Sequence, residues 1–304
     1  MRALVAGPGA EGRFAEVPEP EPGPRQALVE VRQASVNFSD LRHMGRLPEG
    51  TVLGYDAAGV VLRAAEDGTG PREGARVAAF GAGAWAERAA FDTGSIAVVP
   101  DGVDLVRAAA LPMAGLTALR SLRAAGPAPG SRVLVTGASG AVGRLAVQLA
   151  GRAGAHVIAS VSRPERAARL AADLGAHVDI VVGLDGVEPV DVVIETVGGP
   201  ALVAAWALLK PGGNLQSVGW ASGQPAVFPP NSTFSLGRAR SLNSFGDVTA
   251  PADDLAHLLA LVAADDLSLE IGLNGSWEDL EDAKAAQLGG SLTGKIVLAV
   301  GRTP

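Results

Sequence analysis

The segment Gly137-Ala138-Ser139-Gly140-Ala141-Val142-Gly143 holds the residue types and spacing that most constrain the chemistry of this chain. It follows the apolar run Arg132 to Thr136, which reads as a strand, and precedes the helical stretch RLAVQLA. Small residues at such a junction let the backbone turn tightly and approach a pyrophosphate, whose charge is met by free amides and the positive end of the helix. Ala138 stands where the usual pattern has its first glycine. Strand, turn, helix and second strand nevertheless make a unit of about 30 residues, the length of a dinucleotide cradle. Contacts are expected from Ala138, Ser139, Gly140, Ala141, Val142 and Gly143; the competing reading is a tight packing turn.

The end of the second strand decides between the two nicotinamide dinucleotides. A site for NADH places an acid there, about 20 residues beyond the turn, to accept from the ribose hydroxyls. Here the chain reads Ser160-Val161-Ser162-Arg163, with no acid before Glu165. Hydroxyls and a guanidinium suit a 2′-phosphate, so Ser160, Ser162 and Arg163 point to NADPH. Alternatively, Arg163 caps a surface loop before Pro164.

These groups must be held by a larger frame. At 304 residues and ~100–200 residues per domain, two domains are expected, each with its own core. The first hundred residues carry short alternating runs broken by Gly and Pro (ALVEVRQA, AAGVVLRAA, ARVAAF, SIAVVP), the pattern of a small β-barrel. From about residue 104 the texture changes. A helical stretch over 105–126 leads into alternating strands and helices, including helix 163–176, strand 177–182, strand VDVVIETVG, helix 201–213 and strand 214–222. That alternation implies a parallel sheet covered on both faces. Beyond about residue 250 come helix PADDLAHLLALVAADD, short strand SLEIG, helix SWEDLEDAKAAQL opening on a Ser cap, and terminal strand KIVLAV.

Composition excludes several classes. A net charge of −7 with scattered basic residues argues against a nucleic-acid track or an anionic membrane surface. The absence of cysteine removes disulfides, thiolate nucleophiles and Cys-containing zinc sites. The four histidines, His43, His156, His177 and His257, lie far apart in sequence, so no metal site is expected. No run of about 18 apolar residues is present, and the N-terminal run is too short for a signal core; a cytoplasmic protein is expected. Arg supplies 22 of the 25 basic residues, which fits a GC-rich bacterial genome.

The blocks VNFSDLRHMG, LGYDAAGVV, GARVAAFGAGAWAERAAF, AAALPMAGLTALRSL, VLVTGASGAVGRLAVQLA, VDVVIETVGG, LLKPGGNLQSVG and GKIVLAV, in this order, resemble the medium-chain dehydrogenase/reductase superfamily. Within it they are most similar to the zinc-free quinone oxidoreductase and enoyl reductase branch. The resemblance implies an α/β chain with a GroES-like β-barrel catalytic domain (1–107 and 251–304) and a Rossmann doubly wound parallel-sheet domain (108–250). It also implies an active cleft between the domains and a homodimer joined through Rossmann sheet edges. In zinc alcohol dehydrogenases the equivalent of LGYDAAG carries a His-Glu pair. Tyr55-Asp56 replaces that pair here, and with no cysteine the zinc mechanism lacks its ligands.

The implied reaction is hydride transfer from NADPH to a quinone or other α,β-unsaturated carbonyl, whose conjugation spreads the developing charge. By motif, Asn37 of Asn37-Phe38-Ser39-Asp40 is expected in the cleft, orienting the acceptor oxygen or a cofactor ribose, with Asp40 bracing the loop. Further cofactor contacts implied by the resemblance are Thr117, Val197, Gly198, Gly219, Trp220, Ser244, Phe245 and Lys295. The tyrosine that many relatives carry after N-x-x-D is missing, since the stretch reads Arg42-His43-Met44-Gly45-Arg46-Leu47-Pro48. Tyr55 and, as a proton donor, His43 remain as candidate catalytic groups, each with a packing or surface alternative. The missing tyrosine tilts the expectation towards quinones and enones. An enoyl-thioester reductase of polyketide or fatty-acid type and a low-activity NADPH-binding protein are the alternatives.

Overall fold

A computed structural model of the chain describes residues 1–174, 178–234, 236–290 and 292–301. His177, and the helix end expected at 175–176, lie outside the described residues. The chain divides into two compact units, Met1–Leu116 with Val248–Pro304, and Thr117–Asp247.

The first unit opens with β1 (Arg2–Ala6) and β2 (Gly12–Glu16), an antiparallel pair. There follow β3 (Gln26–Val36), α1 (Phe38–His43), β4 (Asp56–Arg63), β5 (Arg76–Phe80), β6 (Arg88–Asp92) and β7 (Ile96–Val98), then α2 (Leu105–Ala109) and α3 (Pro112–Ala125), whose residues from Thr117 onward belong to the second unit. The helix expected over 105–126 is thus two helices. Pro112 lacks an amide to continue α2, and its fixed φ suits the first turn of α3.

The second unit contains β8 (Arg132–Val135), α4 (Ala141–Arg152), β9 (His156–Val161), α5 (Pro164–Leu174), β10 (Asp179–Val182), β11 (Val190–Glu195), α6 (Gly199–Ala207), β12 (Leu209–Ser217) and β13 (Ser241–Ser244). The six strands run parallel in the order β10-β9-β8-β11-β12-β13. Consecutive residues Val133 to Val135, Val157 to Val161 and Val192 to Glu195 are buried, as a sheet covered on both faces requires. Strand order reverses between β8 and β11, and the crevice beyond the carboxyl ends of such a pair is where doubly wound sheets bind ligands.

The chain then returns to the first unit as α7 (Ala252–Ala263), β14 (Ile271–Ser276), α8 (Leu280–Leu288) and β15 (Lys295–Ala299). β14 and β15 complete a seven-stranded sheet of order β14-β15-β3-β4-β5-β7, with β6 paired to β3. Its core gathers Met44, Trp85, Phe91 and Trp277 with the inward aliphatics of β3, β4 and β15. The Ser cap is present: Ser276 Oγ accepts from the Glu278 amide at 3.2 Å, and a short 3₁₀ turn precedes α8.

The strand expected at 268–272 is β14, which runs from Ile271 to Ser276. β12 begins at Leu209, so Lys210-Pro211-Gly212-Gly213, read as a helix end, belongs to the strand. β13 has the sequence Ser-Leu-Asn-Ser, which carries no apolar pattern, and its pairing with β12 shows only in the structure. No helix among the described residues is long and apolar enough to cross a membrane.

Candidate active site

At the end of β8 the turn is built as the residue pattern requires. Gly137 takes φ +59°, and a Cβ there would lie 2.3 Å from Thr196 Oγ1, so only glycine fits. Ala138 is fully buried and outside the positive-φ region, which is why a methyl group is tolerated in place of glycine. Its amide donates to the Ser160 carbonyl at 3.0 Å and ties the turn to the end of β9. Gly140 caps α4 without any side chain reaching the first-turn amides, which leaves that helix end to an external anion. A Cβ on Gly143 would lie 2.4 Å from the Gly137 carbonyl oxygen, so backbone packs on backbone across the turn. These features fit a dinucleotide pyrophosphate.

Beside the turn, Ser162 and Arg163 are exposed after β9. Arg166 Nη1 donates to Ser139 Oγ at 3.5 Å. Burial, and then the neighbouring Arg163, hold the Arg166 guanidinium below its ordinary value, so positive charge is concentrated where a phosphate is expected. Ser160 is a partial correction: it is buried and its hydroxyl donates to the Gly183 carbonyl at 2.8 Å, so it has no proton left to give a phosphate.

Across the switch point, Glu195 ends β11 completely buried. Its Oε1 accepts from Thr136 Oγ1 at 3.0 Å and from the Val197 and Gly198 amides at 2.9 and 3.0 Å, and Oε2 accepts from Gly198 at 2.9 Å. Burial pushes its carboxyl upward against the lowering effect of these donors. Gly198 takes φ +72° with the Trp220 indole where a Cβ would stand. Trp220 Nε1 donates to the Gln224 carbonyl at 2.6 Å, and a Cβ on Gly219 would meet the Thr196 carbonyl oxygen at 2.8 Å. Val197, Gly198, Gly219 and Trp220 are therefore one interlocked group at the strand ends. Thr117 is buried on α3, Ser244 is exposed, and half-buried Phe245 donates its amide to the Ser217 carbonyl at 3.1 Å.

In the first unit, strand register assembles a buried polar network. β3 pairs with β4 so that Ser35 faces Asp56, and β15 sets Lys295 beside the end of β3, next to Asn37. Asp56 is 0% and Lys295 4% exposed. Lys295 Nζ donates to Asn37 Oδ1 at 2.6 Å and to Asp56 Oδ2 at 3.2 Å. Asp56 also accepts from Ser35 Oγ, Asn37 Nδ2 and the Met113 amide, each at 3.0 Å. Asn37 caps α1, and Asp40 Oδ2 accepts from its amide at 2.8 Å and from its Nδ2 at 3.1 Å. Burial, and then the Asp56 carboxylate, push the Asp40 carboxyl up to about 7.

This geometry corrects two assignments. Both hydrogens of Asn37 Nδ2 are spent on Asp40 and Asp56, so the amide has no donor left for an acceptor oxygen, and its Oδ1 already accepts from Lys295. Lys295 is a buried cation committed to Asn37 and Asp56 rather than a side chain reaching out to a cofactor. His43 is exposed in the last turn of α1. Tyr55 is 36% exposed, its ring stacked on Phe80 at 6.1 Å between centroids. Glu195 and Ser35 are not legible in the sequence: an acid and a serine in apolar strands carry no motif, and their partners come from distant strands.

A β-rich unit combined with a switch-point Rossmann sheet defines a two-domain dinucleotide-binding oxidoreductase. Residues 23–101 match the alcohol dehydrogenase GroES-like domain family and residues 141–264 the zinc-binding dehydrogenase family. The chain belongs to the medium-chain dehydrogenase/reductase superfamily. It is similar to the quinone oxidoreductase of Coxiella burnetii, at 27% identity over 99% of both chains and a TM-score of 0.83. It is also similar to the quinone oxidoreductase of Thermus thermophilus, described with its NADPH complex, at 29% identity over 99% of this chain and 100% of that one, TM-score 0.79. Among curated proteins, a component of the pikromycin polyketide synthase of Streptomyces venezuelae is 34% identical over 72% of this chain and 6% of its own length. The chain spans only 4 to 14% of the length of the curated relatives it matches. Despite the name of the second family, no three His, Cys, Asp or Glu among the described residues come together to hold a metal ion.

Proposed function

We propose that this chain is an NADPH-dependent reductase that delivers hydride to a quinone or other α,β-unsaturated carbonyl without a metal ion. The observation that carries this reading is the glycine turn at the switch point, followed after β9 by Ser162 and Arg163 where an NADH site would have an acid. Two quinone oxidoreductases among the similar structures, one described with NADPH, support it. So does the absence of cysteine together with Tyr55-Asp56 in place of a His-Glu pair.

Bound at this turn, the nicotinamide supplies the hydride. The first-turn amides of α4 hold the pyrophosphate, Arg163 with Ser162 holds the 2′-phosphate, and the Val197-Gly198 loop lines the ribose. The similarity to polyketide synthases favours a second reading, reduction of an enoyl thioester. Stopped-flow NADPH oxidation against quinones, enones and enoyl thioesters tests the proposal. Turnover confined to thioesters selects the second reading, and tight NADPH binding without turnover of any acceptor reduces the chain to a cofactor-binding protein.

We also propose that the chain forms a homodimer through the edge strand β13. Leu242 on that strand and Phe234 and Leu236 before it are exposed, an apolar surface that a second copy would cover.

A further inference from the structure

We infer that Glu195 is a positioning residue for the cofactor, locking the β8 glycine turn to the β11 loop so that Val197 and Gly198 face the dinucleotide already ordered; this rests on the dinucleotide reading above. The side chain is 0% exposed, yet it is an acid at the end of an otherwise apolar strand, where an aliphatic residue would serve packing better. Its hydrogen bonds all go to strand-end loops. The carboxylate takes Thr136 Oγ1 from the residue immediately before Gly137, and the amides of Val197 and Gly198 from its own loop.

Thr136 extends the link, since its Oγ1 accepts from the Thr196 amide at 3.0 Å while Thr196 Oγ1 donates to the Thr136 carbonyl at 2.8 Å. The backbone of Glu195 adds the third loop, its carbonyl accepting from the Val218 amide at 2.8 Å, just ahead of Gly219 and Trp220. One residue thus fastens the ends of β8 and β11, the strands that flank the switch point, and of the adjoining β12. The groups acting on its charge are a hydroxyl and two amides, with no cation among them. The carboxylate is therefore held by hydrogen bonds alone, and two of their three donor groups are the loop amides that need ordering. Ordering a loop before binding removes that entropy cost from association.

The role has a sign that separates it from simple electrostatics. Glu195→Gln removes a negative charge near an anionic ligand, which by repulsion alone would tighten binding. It also puts an amide nitrogen against one of the loop N–H donors, which by positioning weakens binding.

Calorimetric titration of NADP⁺ into wild type, Glu195→Gln and Thr136→Val, with amide hydrogen exchange followed on the same proteins, tests the inference. Glu195→Gln is expected to weaken NADP⁺ by ~10- to 100-fold, the range for a lost hydrogen bond to a charged group. The Val197 and Gly198 amides should exchange faster while those within β8 and β11 stay protected. Thr136→Val, which removes the donor to Glu195 and the acceptor of the Thr196 amide, should weaken binding by ~3-fold or more. Unchanged or tighter binding by Glu195→Gln overturns the inference, as does loss of protection throughout the sheet in step with affinity. If Glu195→Gln does not fold, Thr136→Val decides, and an unchanged affinity overturns it. Failure of the wild type to bind NADP⁺ or NAD⁺ overturns the dinucleotide reading, and this inference with it.

Discussion

Replacing Lys295 by Met should destabilise the first unit by about 3 kcal/mol, within the ~3–5 kcal/mol typical of removing one partner from a buried ion pair. The cost is worked from what is left behind. Asp56 is fully buried, and without the ammonium at 3.2 Å its carboxylate keeps only neutral donors: Ser35 Oγ, Asn37 Nδ2 and the Met113 amide, each at 3.0 Å. Those three bonds place the cost at the lower end of the range. Met matches the aliphatic stem of Lys and limits the packing loss. Asp56→Asn alone strands the ammonium in turn, with Asn37 Oδ1 as its remaining partner. The double variant leaves no buried charge in the pair, so its cost should fall short of the sum of the singles by ~1.5 kcal/mol or more. Guanidinium unfolding followed by fluorescence, with Trp85 and Trp277 both in the first unit's core, measures all three. A cost below ~1 kcal/mol for Lys295→Met, or strict additivity in the double variant, refutes the claim that this pair anchors the network.

The other expectations concern titration, cofactor and assembly. Asp40 titrates at about 7 in the folded chain against an ordinary value of 3.8, so the native state binds more protons between those values and stability falls as pH rises through that window. Unfolding free energies of wild type and Asp40→Asn measured from pH 4 to 8 should therefore diverge, with only wild type losing this contribution; parallel curves contradict the assignment. Arg163→Ala should narrow the preference for NADPH over NADH by up to ~1.5–3 kcal/mol at low salt, and less as salt screens this exposed side chain; equal affinities of wild type for the two cofactors would refute the 2′-phosphate role. His43→Ala should leave turnover unchanged, because the ring is exposed at the end of α1; a tenfold loss of kcat would restore it as a proton donor. Leu242→Arg on β13 should convert a dimer to monomer in sedimentation velocity, and a wild type that sediments as a monomer ends the dimer proposal.

Legibility in the sequence followed the range over which each feature is encoded. The glycine turn was readable because strand, turn and helix are contiguous, and the tolerance of Ala138 follows from one local torsion. The Ser276 cap is equally local. β13 was not readable, because Ser-Leu-Asn-Ser becomes a strand only through the edge that β12 offers it. The network around Asp56 failed for the same reason in stronger form. Its members come from β3, α1, β4 and β15, and only the register that sets Ser35 against Asp56 and Lys295 near Asn37 turns separate polar residues into one cluster. Motif resemblance named Asn37 and Lys295, but the direction of their hydrogen bonds is tertiary information.

Those directions bear on the chemistry. An amide that aimed Nδ2 at the acceptor would stabilise a developing oxyanion, and such a donor is worth ~2.7–4 kcal/mol in other active sites. Asn37 has given both hydrogens to two neighbouring carboxyl groups, Asp56 fully buried and Asp40 half-buried. Reversing the amide to free a donor would set its oxygen against two carboxylates and its nitrogen against the Lys295 ammonium, losing three hydrogen bonds at once. The network therefore fixes Asn37 as an acceptor. Within the proposed reaction, the oxyanion must then be met by a backbone donor, by water or by delocalisation in the substrate itself. A quinone, which spreads charge over two oxygens and a ring, asks least of the protein. An enone or an enoyl thioester, whose enolate must also take a proton at carbon after hydride arrives, asks more. This ordering predicts that turnover is higher with quinones than with simple enones or enoyl thioesters when NADPH oxidation is compared at saturating acceptor. The opposite order would show that a donor outside the Asn37 network governs the reaction.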